Sequence, residues 1–565
     1  MPVAATERVL IVGAGAAGLL AAVFLARSGR EVLVVDRDRD AATAAVGRRT
    51  AEPRPGVPQA RHSHAFLARF RALLAQRAPD LLDALLAAGA REIPLLATAP
   101  APIRRALESA STAAAQAPAG GPDELVVLGC RRPLLDDVLR GAALAEPEIT
   151  IQPAARVTGL VTDGGGAAPW VRGVRLADGT SVAADLVIDA GGRRSPVREL
   201  LAAAGAPLPP QLAAPCGITY YSRFYTRDGD RSLVTELNRG HAVGASFDRY
   251  SCLVFPADND TFSVTFGVLP EDTELRALRH GPAFDAAVRA IEAVAPWLDG
   301  GPATSPAGGP GGAGHDGVAV RVGGAVRPLG PVAAMAGLYN LFRPLVDDGR
   351  PAALGVLPIG DAAMTTNPAH TRGTTLAALG AARLTDAVTA TADPAERALR
   401  LDAAMRTGAL PWFHDSLEQD ASRLARWRSS PPSALASPDR SASPDRWDSP
   451  GPPVPSPRDP TEPGGHERTR ATAGARRPRS VTNGEAFLAA GRDPVVWQAF
   501  TRLQNLLAMP SDVLADPEIV ARVRTVQTSG WRPPALVGPS HAGLVAAARA
   551  ALAGQGDPAI PGGAP

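Results

Sequence analysis

Three glycines, spaced over six residues between two apolar runs, constrain the fold of this chain more than any other feature. Residues 9–12 are an apolar, mostly β-branched run that favours a buried strand, and residues 19–27 favour a helix because they are rich in Leu and Ala. A second strand-like run follows at residues 32–35. The connecting turn has the pattern G-x-G-x-x-G and consists of Gly13, Ala14, Gly15, Ala16, Ala17 and Gly18. This order predicts a β-α-β unit whose turn binds the pyrophosphate of a dinucleotide at the start of the helix.

Asp36 narrows the choice of dinucleotide. It ends the second predicted strand, where a carboxylate accepts hydrogen bonds from both ribose hydroxyls. An acid in this place disfavours a 2′-phosphate, so FAD or NAD is expected and NADP is not. The neighbouring Arg37 is included among the candidate cofactor-binding residues. A second match to the glycine pattern, at residues 309–314, is rejected because no strand precedes it and Pro310 lacks a backbone N–H.

The composition excludes several classes of protein. The chain has 565 residues, of which 45% are hydrophobic and 20% are charged, as in ordinary globular proteins. Its net charge of +2 gives no electrostatic footprint for nucleic acid. All 58 basic residues are Arg, so mechanisms that need a Lys, such as Schiff-base chemistry or a Walker-A loop, are excluded. Cys130, Cys216 and Cys252 form no C-x-x-C pair, so no metal site is predicted and a reducing cytoplasm is expected.

One apolar stretch has nearly the length of a membrane span. Residues 9–26 carry no charge, which would also suit the apolar part of a signal peptide. The stretch is rich in Gly and other small residues, and the β-α-β unit explains it better. We therefore predict no transmembrane segment and a cytoplasmic location.

The rest of the chain alternates between regular and irregular composition. Helices are predicted at 66–90 and 484–527, a strand followed by a helix at 125–145, a hairpin-like set of strands at 156–188, a mostly antiparallel sheet at 216–270, and a loop at 97–123. Residues 301–317 and 429–480 have too few large apolar residues to offset the entropy of ordering, so both are predicted to be unfolded.

Two further apolar strands end in an acidic residue next to glycine. The first ends at Asp189, and two glycines and a Ser-Pro helix start follow it. The second leads to Gly360 and Asp361, after which a helix of small residues is predicted at 374–387. Spacing alone leaves open that Asp361 is only a helix cap.

Together these motifs resemble those of FAD-dependent monooxygenases of the aromatic-hydroxylase type, in particular a bacterial branch of FAD-dependent oxidoreductases. Residues 189–198 resemble that family's second fingerprint, which contacts FAD and the reduced nicotinamide. Gly360-Asp361 resembles the third, whose acid holds the ribityl chain of FAD. Arg132 begins a stretch similar to the family's R-x-x-L-x-x-x-L helix, whose Arg lies along the flavin chain. Residues 58–64 are similar to a P-Q-x-x-H-x-H stretch of the bacterial branch.

The resemblance covers residues 7–428 and, more loosely, 484–527. It implies an α/β fold with a Rossmann-like FAD-binding domain of the glutathione-reductase type, an inserted, mostly antiparallel β substrate domain, and C-terminal helices. The corresponding boundaries are 1–200 and 331–428 for the two parts of the FAD-binding domain, 201–330 for the substrate domain, 429–480 for a disordered linker, 481–530 for the helical segment and 531–565 for a tail.

The chain departs from the family near the third motif. The branch usually has N-P-x-Y-G-Q-G-M-T, whereas residues 367–375 are N-P-A-H-T-R-G-T-T. Pro368 and Gly373 match and are candidate cofactor-binding residues. Thr371 and Arg372 replace a Gly-Gln pair that the resemblance puts near the flavin ring, and Thr adopts a positive φ less readily than Gly.

No nucleophile–base set stands out, so the catalytic residues are not identified. The candidates near the flavin are His62, His64 and Arg372. Two His residues separated by one residue could begin a metal site, but no third ligand has suitable spacing. Hydrogen-bonded loop residues are the alternative for this pair.

The resemblance implies a monooxygenase that takes FAD as cofactor and NADH or NADPH as transient reductant. It would insert one atom of molecular oxygen into a hydrophobic or aromatic small molecule through a flavin C4a-hydroperoxide. A reductase or dehydrogenase of the prenyl-reductase type and a non-catalytic FAD-binding protein are the alternatives. A flavin halogenase is disfavoured because its mechanism depends on a Lys. The sequence does not identify the substrate, the choice between NADH and NADPH, or the oligomeric state.

Overall fold

The glycine turn lies at the carboxyl end of the central strand of a five-stranded parallel sheet. The computed structural model describes residues 7–38, 58–113, 124–163, 168–228, 237, 242–299, 325–429, 480–533 and 538–553. With elements numbered in chain order, the strands across the sheet are β20 (Val356–Pro358), β9 (Leu186–Asp189), β1 (Arg8–Val12), β2 (Glu31–Val35) and β5 (Ile149–Gln152). All neighbours are parallel. Their apolar side chains are largely buried, as is typical of a parallel sheet covered on both faces.

A larger antiparallel sheet confirms the β-rich region predicted from the aromatic and β-branched residues. Its strands are β12 (Val243–Ser246), β13 (Tyr250–Pro256), β14 (Thr261–Val268), β11 (Thr219–Arg227) and β15 (Val326–Pro328), with β16 (Ala333–Met335) also paired to β11. Side chains alternate between its two faces. One face buries Tyr225 and Phe266 in the core, where the Phe266 ring meets Phe284 edge-on at 5.2 Å between centroids. Ser222 and Thr265, opposite each other in register, lie on the other face.

Short strands complete the described β structure. They form a three-stranded sheet of β10 (Leu212–Pro215), β17 (Tyr339–Phe342) and β21 (Met364–Thr365), a second of β6 (Val157–Asp163), β7 (Trp170–Leu176) and β8 (Ser181–Ala183), and the pairs β3 (Arg91–Pro94) with β4 (Val126–Gly129) and β18 (Val346–Asp347) with β19 (Arg350–Pro351). The fold is thus a Rossmann-like α/β core with antiparallel sheets beside it, as expected.

The described residues form helices throughout the chain. They are α1 (Ala16–Arg27), α2 (Ala68–Arg77), α3 (Pro79–Ala87), α4 (Ala101–Ala113), α5 (Arg132–Ala145), α6 (Val197–Ala203), α7 (Gly281–Arg289), α8 (Pro296–Asp299), α9 (Gly373–Ala390), α10 (Pro394–Gly408), α11 (Leu410–Ser429), α12 (Asn483–Ala490), α13 (Pro494–Gln504), α14 (Pro510–Leu514), α15 (Pro517–Thr528) and α16 (His541–Ala553). No helix in the described ranges has both the length and the hydropathy that crossing a membrane requires.

The C-terminal helices belong to the same hydrophobic core as the antiparallel sheet. Val496, Leu503 and Leu544 are almost fully buried in a cluster that also contains Tyr225 and Phe266. Asn505 caps α2 from this region, since its Oδ1 accepts a hydrogen bond from the Ala68 backbone N–H at 3.1 Å. These helices therefore complete the fold rather than extend from it.

A buried ion pair joins the two sheets. The guanidinium of Arg131, which precedes α5, donates from Nε to Asp258 Oδ1 and from Nη2 to Asp258 Oδ2, both at 2.8 Å. Asp258 lies in the turn between β13 and β14 and is 0% exposed. The same turn is held by Asn259, whose Nδ2 donates to the Ala88 carbonyl at 3.0 Å.

The structure differs from three predictions about local structure. The predicted loop at 97–123 contains α4, because Pro102 lies in the first helical turn, where proline is tolerated, and the following Ala and Leu residues favour helix. The stretch predicted only as a tail contains α16. Helix α1 begins at Ala16, three residues before the predicted start. Residues 301–317 (with the rejected glycine pattern) and residues 430–479 of the predicted linker lie outside the described residues.

Candidate functional site

The sequence motifs meet at the carboxyl edge of the parallel sheet. Gly13 follows β1, Asp36 follows β2, Asp189 ends β9 and Gly360 lies just after β20. Because these strands are parallel and adjacent, all four residues lie along one edge. In open α/β sheets this edge is where ligands bind.

The glycine turn has the shape that a bound phosphate requires. Gly13 has φ +103°, and a Cβ there would lie 2.6 Å from the Ala190 carbonyl oxygen. A Cβ at Gly18 would lie 2.0 Å from the Gly13 carbonyl oxygen. A Cβ at Gly15 would instead meet nothing within 4 Å, and Gly15 is the N-cap of α1 without a side-chain cap. The start of α1 at Gly15 therefore borders open space at the positive end of the helix, where a diphosphate fits.

Asp36 lies directly beside this turn. Its carboxylate is buried, and Oδ2 accepts a hydrogen bond from the Ala14 backbone N–H at 2.6 Å. Oδ1 accepts one from the Asp38 N–H at 2.8 Å. The acid thus lies where the sequence predicts a ribose partner, while the adjacent Arg37 is exposed.

Asp189 stabilises the turn of the second motif. Its Oδ1 accepts hydrogen bonds from the Gly191 N–H at 3.0 Å and from the Ser195 hydroxyl at 2.6 Å. Burial raises the pKa of Asp189 to about 6, against these two hydrogen bonds and the charge of Arg343. The structure shows Asp189 as a bracing residue of the turn at this edge of the sheet.

Asp361 of the third motif is surrounded by arginines. Burial raises its pKa, and the charges of Arg193, Arg132 and Arg343 oppose that rise. Two of these arginines are linked, since both terminal nitrogens of Arg343 donate to the Arg193 carbonyl at 3.1 Å. Asp361 lies in a 3-10 turn, Gly360–Ala362, well before α9, so its interpretation as a helix cap is wrong.

Arg132 connects this acid to the helix starts. It is the first residue of α5, and its Nε donates to Asp136 at 2.7 Å. Its Nη1 lies 3.5 Å from the hydroxyl of Thr374, in the first turn of α9. Arg132 therefore lies between Asp361 and the start of α9, beside the expected path of the flavin chain.

The third motif packs directly on the first. Gly360 has φ +58°, and a Cβ there would lie 2.7 Å from the Ala17 Cβ. Gly373, the first residue of α9, borders open space, and no side chain caps this helix. Pro368 is exposed in the preceding 3-10 turn. The edge therefore offers a second uncapped helix N-terminus, so the residues present fit an extended dinucleotide.

Thr371 and Arg372 differ from what the resemblance implies. Thr371 does adopt the left-handed conformation, with φ +54°. Arg372 is 0% exposed and points towards α11, where its Nη1 lies 2.5 Å from Asp415 Oδ2 and its guanidinium lies over the Trp412 ring. A buried cation requires a counter-charge, and Asp415 supplies it. The Arg372 side chain is therefore engaged by α11, and its place beside the flavin stays a prediction.

A polar network that includes Asp420 of α11 positions the 367–371 loop. Asp420 of α11 accepts from Asn340 Nδ2 at 2.8 Å and from Asn367 Nδ2 at 2.6 Å. Asn367 in turn accepts from the Tyr220 hydroxyl at 2.6 Å. Burial raises the pKa of Asp420, but the nearby His370, the hydrogen bond from Asn340 and the charge of Arg423 outweigh it and leave the pKa below its usual value.

The two histidines lie between the parallel-sheet edge and the antiparallel sheet. His62 is buried, and its Nδ1 lies 2.9 Å from the Ser222 hydroxyl. His64 Nδ1 lies 2.9 Å from the His62 carbonyl, so it donates to it. Burial lowers the pKa of His62 to about 4 and, together with the charge of Arg132, lowers that of His64 to about 3. Both are neutral at pH 7, and Arg132 places His64 next to the cofactor edge.

Sequence reasoning missed several residues of this site. Arg193 was within the second motif and could have been noted, since it lies three residues before Pro196 in a glycine-rich turn. Arg343 and Asp420 carried no such signal because they reach the site only through the tertiary fold. Ser222 and Thr265 become neighbours only through the register of β11 and β14.

These observations define a Rossmann-like α/β fold with a second, antiparallel sheet beside it and a glycine turn of the shape that binds dinucleotides. The sequence family described as FAD dependent oxidoreductase matches residues 8–267. This part of the chain is therefore similar to FAD-dependent oxidoreductase domains, and the protein is an enzyme. No curated protein matches the chain by sequence.

Solved structures of flavin monooxygenases share the fold. PqsL, a probable FAD-dependent monooxygenase from Pseudomonas aeruginosa, is 16% identical, with a TM-score of 0.52 over 75% of this chain and 98% of that chain. A structure of P. aeruginosa PqsL in complex with 2-aminobenzoylacetate is also 16% identical, with a TM-score of 0.50 over 75% of this chain and 98% of that chain. At this identity the likeness concerns the fold.

Proposed function

We propose that this enzyme is an NAD(P)H-dependent FAD monooxygenase that inserts one oxygen atom into a hydrophobic or aromatic small molecule. The convergence of the glycine turn, Asp36, and the Gly360-Asp361 turn on one sheet edge carries the proposal. The fold shared with PqsL, which has been crystallised with the aromatic compound 2-aminobenzoylacetate, supports an aromatic substrate.

Each part of the edge has a distinct task in this proposal. The amides of Ala16 and Ala17 bind the diphosphate, Asp36 the adenosine ribose and Asp361 the ribityl chain. Gly373 leaves room for the backbone of α9 to approach the flavin. When bound, FAD accepts hydride and activates oxygen, and the protein orients it and excludes water. The polar face of the antiparallel sheet would line the substrate cavity.

The reaction is tested with purified, FAD-loaded protein, NADH or NADPH and a panel of aromatic compounds under ¹⁸O₂. We expect consumption of reductant and a product that carries one ¹⁸O atom. Unchanged turnover without oxygen would point instead to a reductase. If neither NADH nor NADPH bleached the flavin, the protein would be a non-catalytic FAD-binding protein.

The cofactor site is tested with Asp36→Ala. Losing hydrogen bonds to two ribose hydroxyls should weaken FAD binding by about 10- to 100-fold, measured by FAD titration. Asp80→Ala is the matched control, because Asp80 pairs with Arg27 at the exposed end of α1, away from the cofactor edge. Equal FAD affinity of Asp36→Ala and the wild type would contradict the assignment.

A further inference from the structure

We infer that His62 presents an unprotonated Nε2 beside the polar face of the antiparallel sheet, where it accepts a hydrogen bond from an O–H or N–H group of the substrate. The inference deepens the proposed function and rests on it. It assigns both a recognition residue and a chemical requirement of the substrate.

A chain of hydroxyls starts at His62 and runs along the sheet. His62 Nδ1 lies 2.9 Å from Ser222 Oγ, which lies 2.7 Å from Thr265 Oγ1. Thr265 Oγ1 lies 2.6 Å from Ser63 Oγ, which donates to Ser263 Oγ at 2.7 Å. The chain thus connects the loop before α2 with strands β11 and β14.

Counting hydrogens fixes the direction of every bond in this chain. Each hydroxyl has one hydrogen to donate. Ser63 spends its hydrogen on Ser263, so Thr265 must donate to Ser63. The hydrogen of Thr265 is then used, so Ser222 must donate to Thr265. Ser222 can therefore only accept from His62, which places the ring hydrogen of His62 on Nδ1.

The other ring nitrogen is left as an acceptor. Burial holds the pKa of His62 near 4, so the imidazole carries a single hydrogen at pH 7. Nε2 makes no hydrogen bond within the part of the chain that the structure describes, and it is not among the fully buried polar atoms that lack a partner. A lone pair on an accessible Nε2 is an unused hydrogen-bond acceptor.

The position of His62 suits a substrate next to the flavin. Its carbonyl accepts from His64 Nδ1, and the charge of Arg132 acts on His64. Arg132 also acts on Asp361, so the histidine loop and the cofactor edge adjoin. Ser63 and Thr265 are only half-buried, so the polar face is open at this point.

The chemistry of this face selects for hydrogen-bond donors. The hydrogens of His62, Ser222, Thr265 and Ser63 are all donated within the chain, so these four groups have none left for a substrate carboxylate. An aromatic hydroxyl or amine, by contrast, can donate to Nε2. Phe255, buried nearby with Ala65 and Ala242, provides the apolar surroundings for the ring that bears it.

Long-range ¹H–¹⁵N spectra of the full chain, labelled with ¹⁵N-histidine, test the tautomer directly. His62→Phe assigns the resonance, and we expect a protonated Nδ1 and an unprotonated Nε2 with and without FAD. Ser263→Ala removes the last acceptor and should shift the ring towards the other tautomer. Ser251→Ala, on the same sheet but outside the chain, should not. A proton on Nε2 in the wild type, or no change in Ser263→Ala, would overturn the inference.

Calorimetry on the FAD-loaded protein tests recognition with 2-naphthol and its methyl ether, which lacks the O–H donor. We expect 2-naphthol to bind about fivefold more tightly, a difference that His62→Phe abolishes, His62→Gln partly restores and Ser251→Ala retains. Equal affinity for the two probes, or binding of neither, contradicts the inference. Loss of FAD binding in the wild type would be a failure of the proposed function instead, and the tautomer would still be measured.

Discussion

Thr371 is held in a conformation that its side chain opposes. Its φ of +54° is left-handed, and a β-branched residue pays for this conformation about 1–2 kcal/mol relative to glycine. Thr371→Gly should therefore raise the free energy of unfolding by about 1 kcal/mol after the entropy cost of glycine is included, measured by urea denaturation.

Thr98→Gly is the control for this substitution. Thr98 is also a half-buried turn residue whose hydroxyl donates to a nearby carbonyl, but its φ is not positive. It should lose about 0.5–1 kcal/mol of stability, as glycine normally does. Equal effects of the two substitutions would show that the conformation of Thr371 stores no strain.

Asp189 gives the protein a pH-dependent stability. Its folded pKa of about 6 lies above the ordinary value of 3.8, so the stability of the fold falls as the pH rises from about 4 to about 6, and the loss is complete above that range. Asp189→Asn keeps Oδ1 as acceptor and removes the charge. It should stabilise the FAD-free protein by about 3 kcal/mol above pH 6, and this gain should vanish below pH 4.

Thermal unfolding at several pH values measures this gain. Asp185→Asn is the control, since Asp185 lies at the start of the same strand and accepts from the Arg8 N–H at an exposed position. A stabilisation by Asp189→Asn that did not change with pH would contradict the raised pKa.

Single residues were predictable where backbone topology fixes their place. Asp36, Asp189 and Gly360 follow strands that had to be parallel, so the sequence could place them on one edge. The direction of the Arg372 side chain was not predictable, because it depends on Asp415, a counter-charge on a helix that approaches only in the folded chain. Nearby sequence predicts where a strand ends, whereas the partner of a side chain often comes from a distant part of the chain.

At the scale of elements, the Arg372–Asp415 pair connects the start of α9 to α11. Asp415→Asn leaves a buried guanidinium without its counter-charge and should cost about 3–5 kcal/mol. Arg372→Met together with Asp415→Asn should be less destabilising than the sum of the single changes, measured in a denaturation cycle. The flavin spectrum should stay the same throughout.

Additive effects in this cycle would show that the two side chains do not interact. A changed flavin spectrum in Arg372→Met would indicate that Arg372 lies next to the flavin, as the family resemblance implies. The two readouts separate the structural from the cofactor role of this residue.

Helices and strands were predicted well where apolar periodicity is strong and poorly where composition is ambiguous. The regions of α2, α3 and α5 were recognised from their Leu and Ala content. Helix α4 was taken for a loop because Ala, Pro and Gly dominate residues 97–123. The packing of Ile103 and Leu107 against the core that contains the C-terminal helices, which the sequence does not show, adds to the helix preference of its Ala and Leu residues.

At the scale of the whole molecule, the C-terminal helices are held by the shared core and not by the covalent connection. A specific protease site inserted within 431–479 and then cleaved should leave two fragments that elute together in gel filtration with FAD content unchanged. The physical reason is the burial of Val496, Leu503 and Leu544 in the core of the main body. Separation of the fragments would show that the shared core is too weak to hold them.

The architecture as a whole was predicted from the family resemblance, which depends on the order and spacing of the glycine turn and the two further strand-end acids. What the sequence could not supply is how the second sheet lies against the first. That arrangement depends on contacts such as the bond from Asn505 to the Ala68 amide, between residues remote in the chain.

The ion pair of Arg131 with Asp258 bears on how small molecules enter and leave. Bending one sheet away from the other would strand a guanidinium and a carboxylate in an apolar interior, at a cost of about 3–5 kcal/mol. We therefore expect the parallel and the antiparallel sheet to keep a fixed position relative to each other. Small molecules should then enter and leave without a large change in the distance between Arg131 and Asp258.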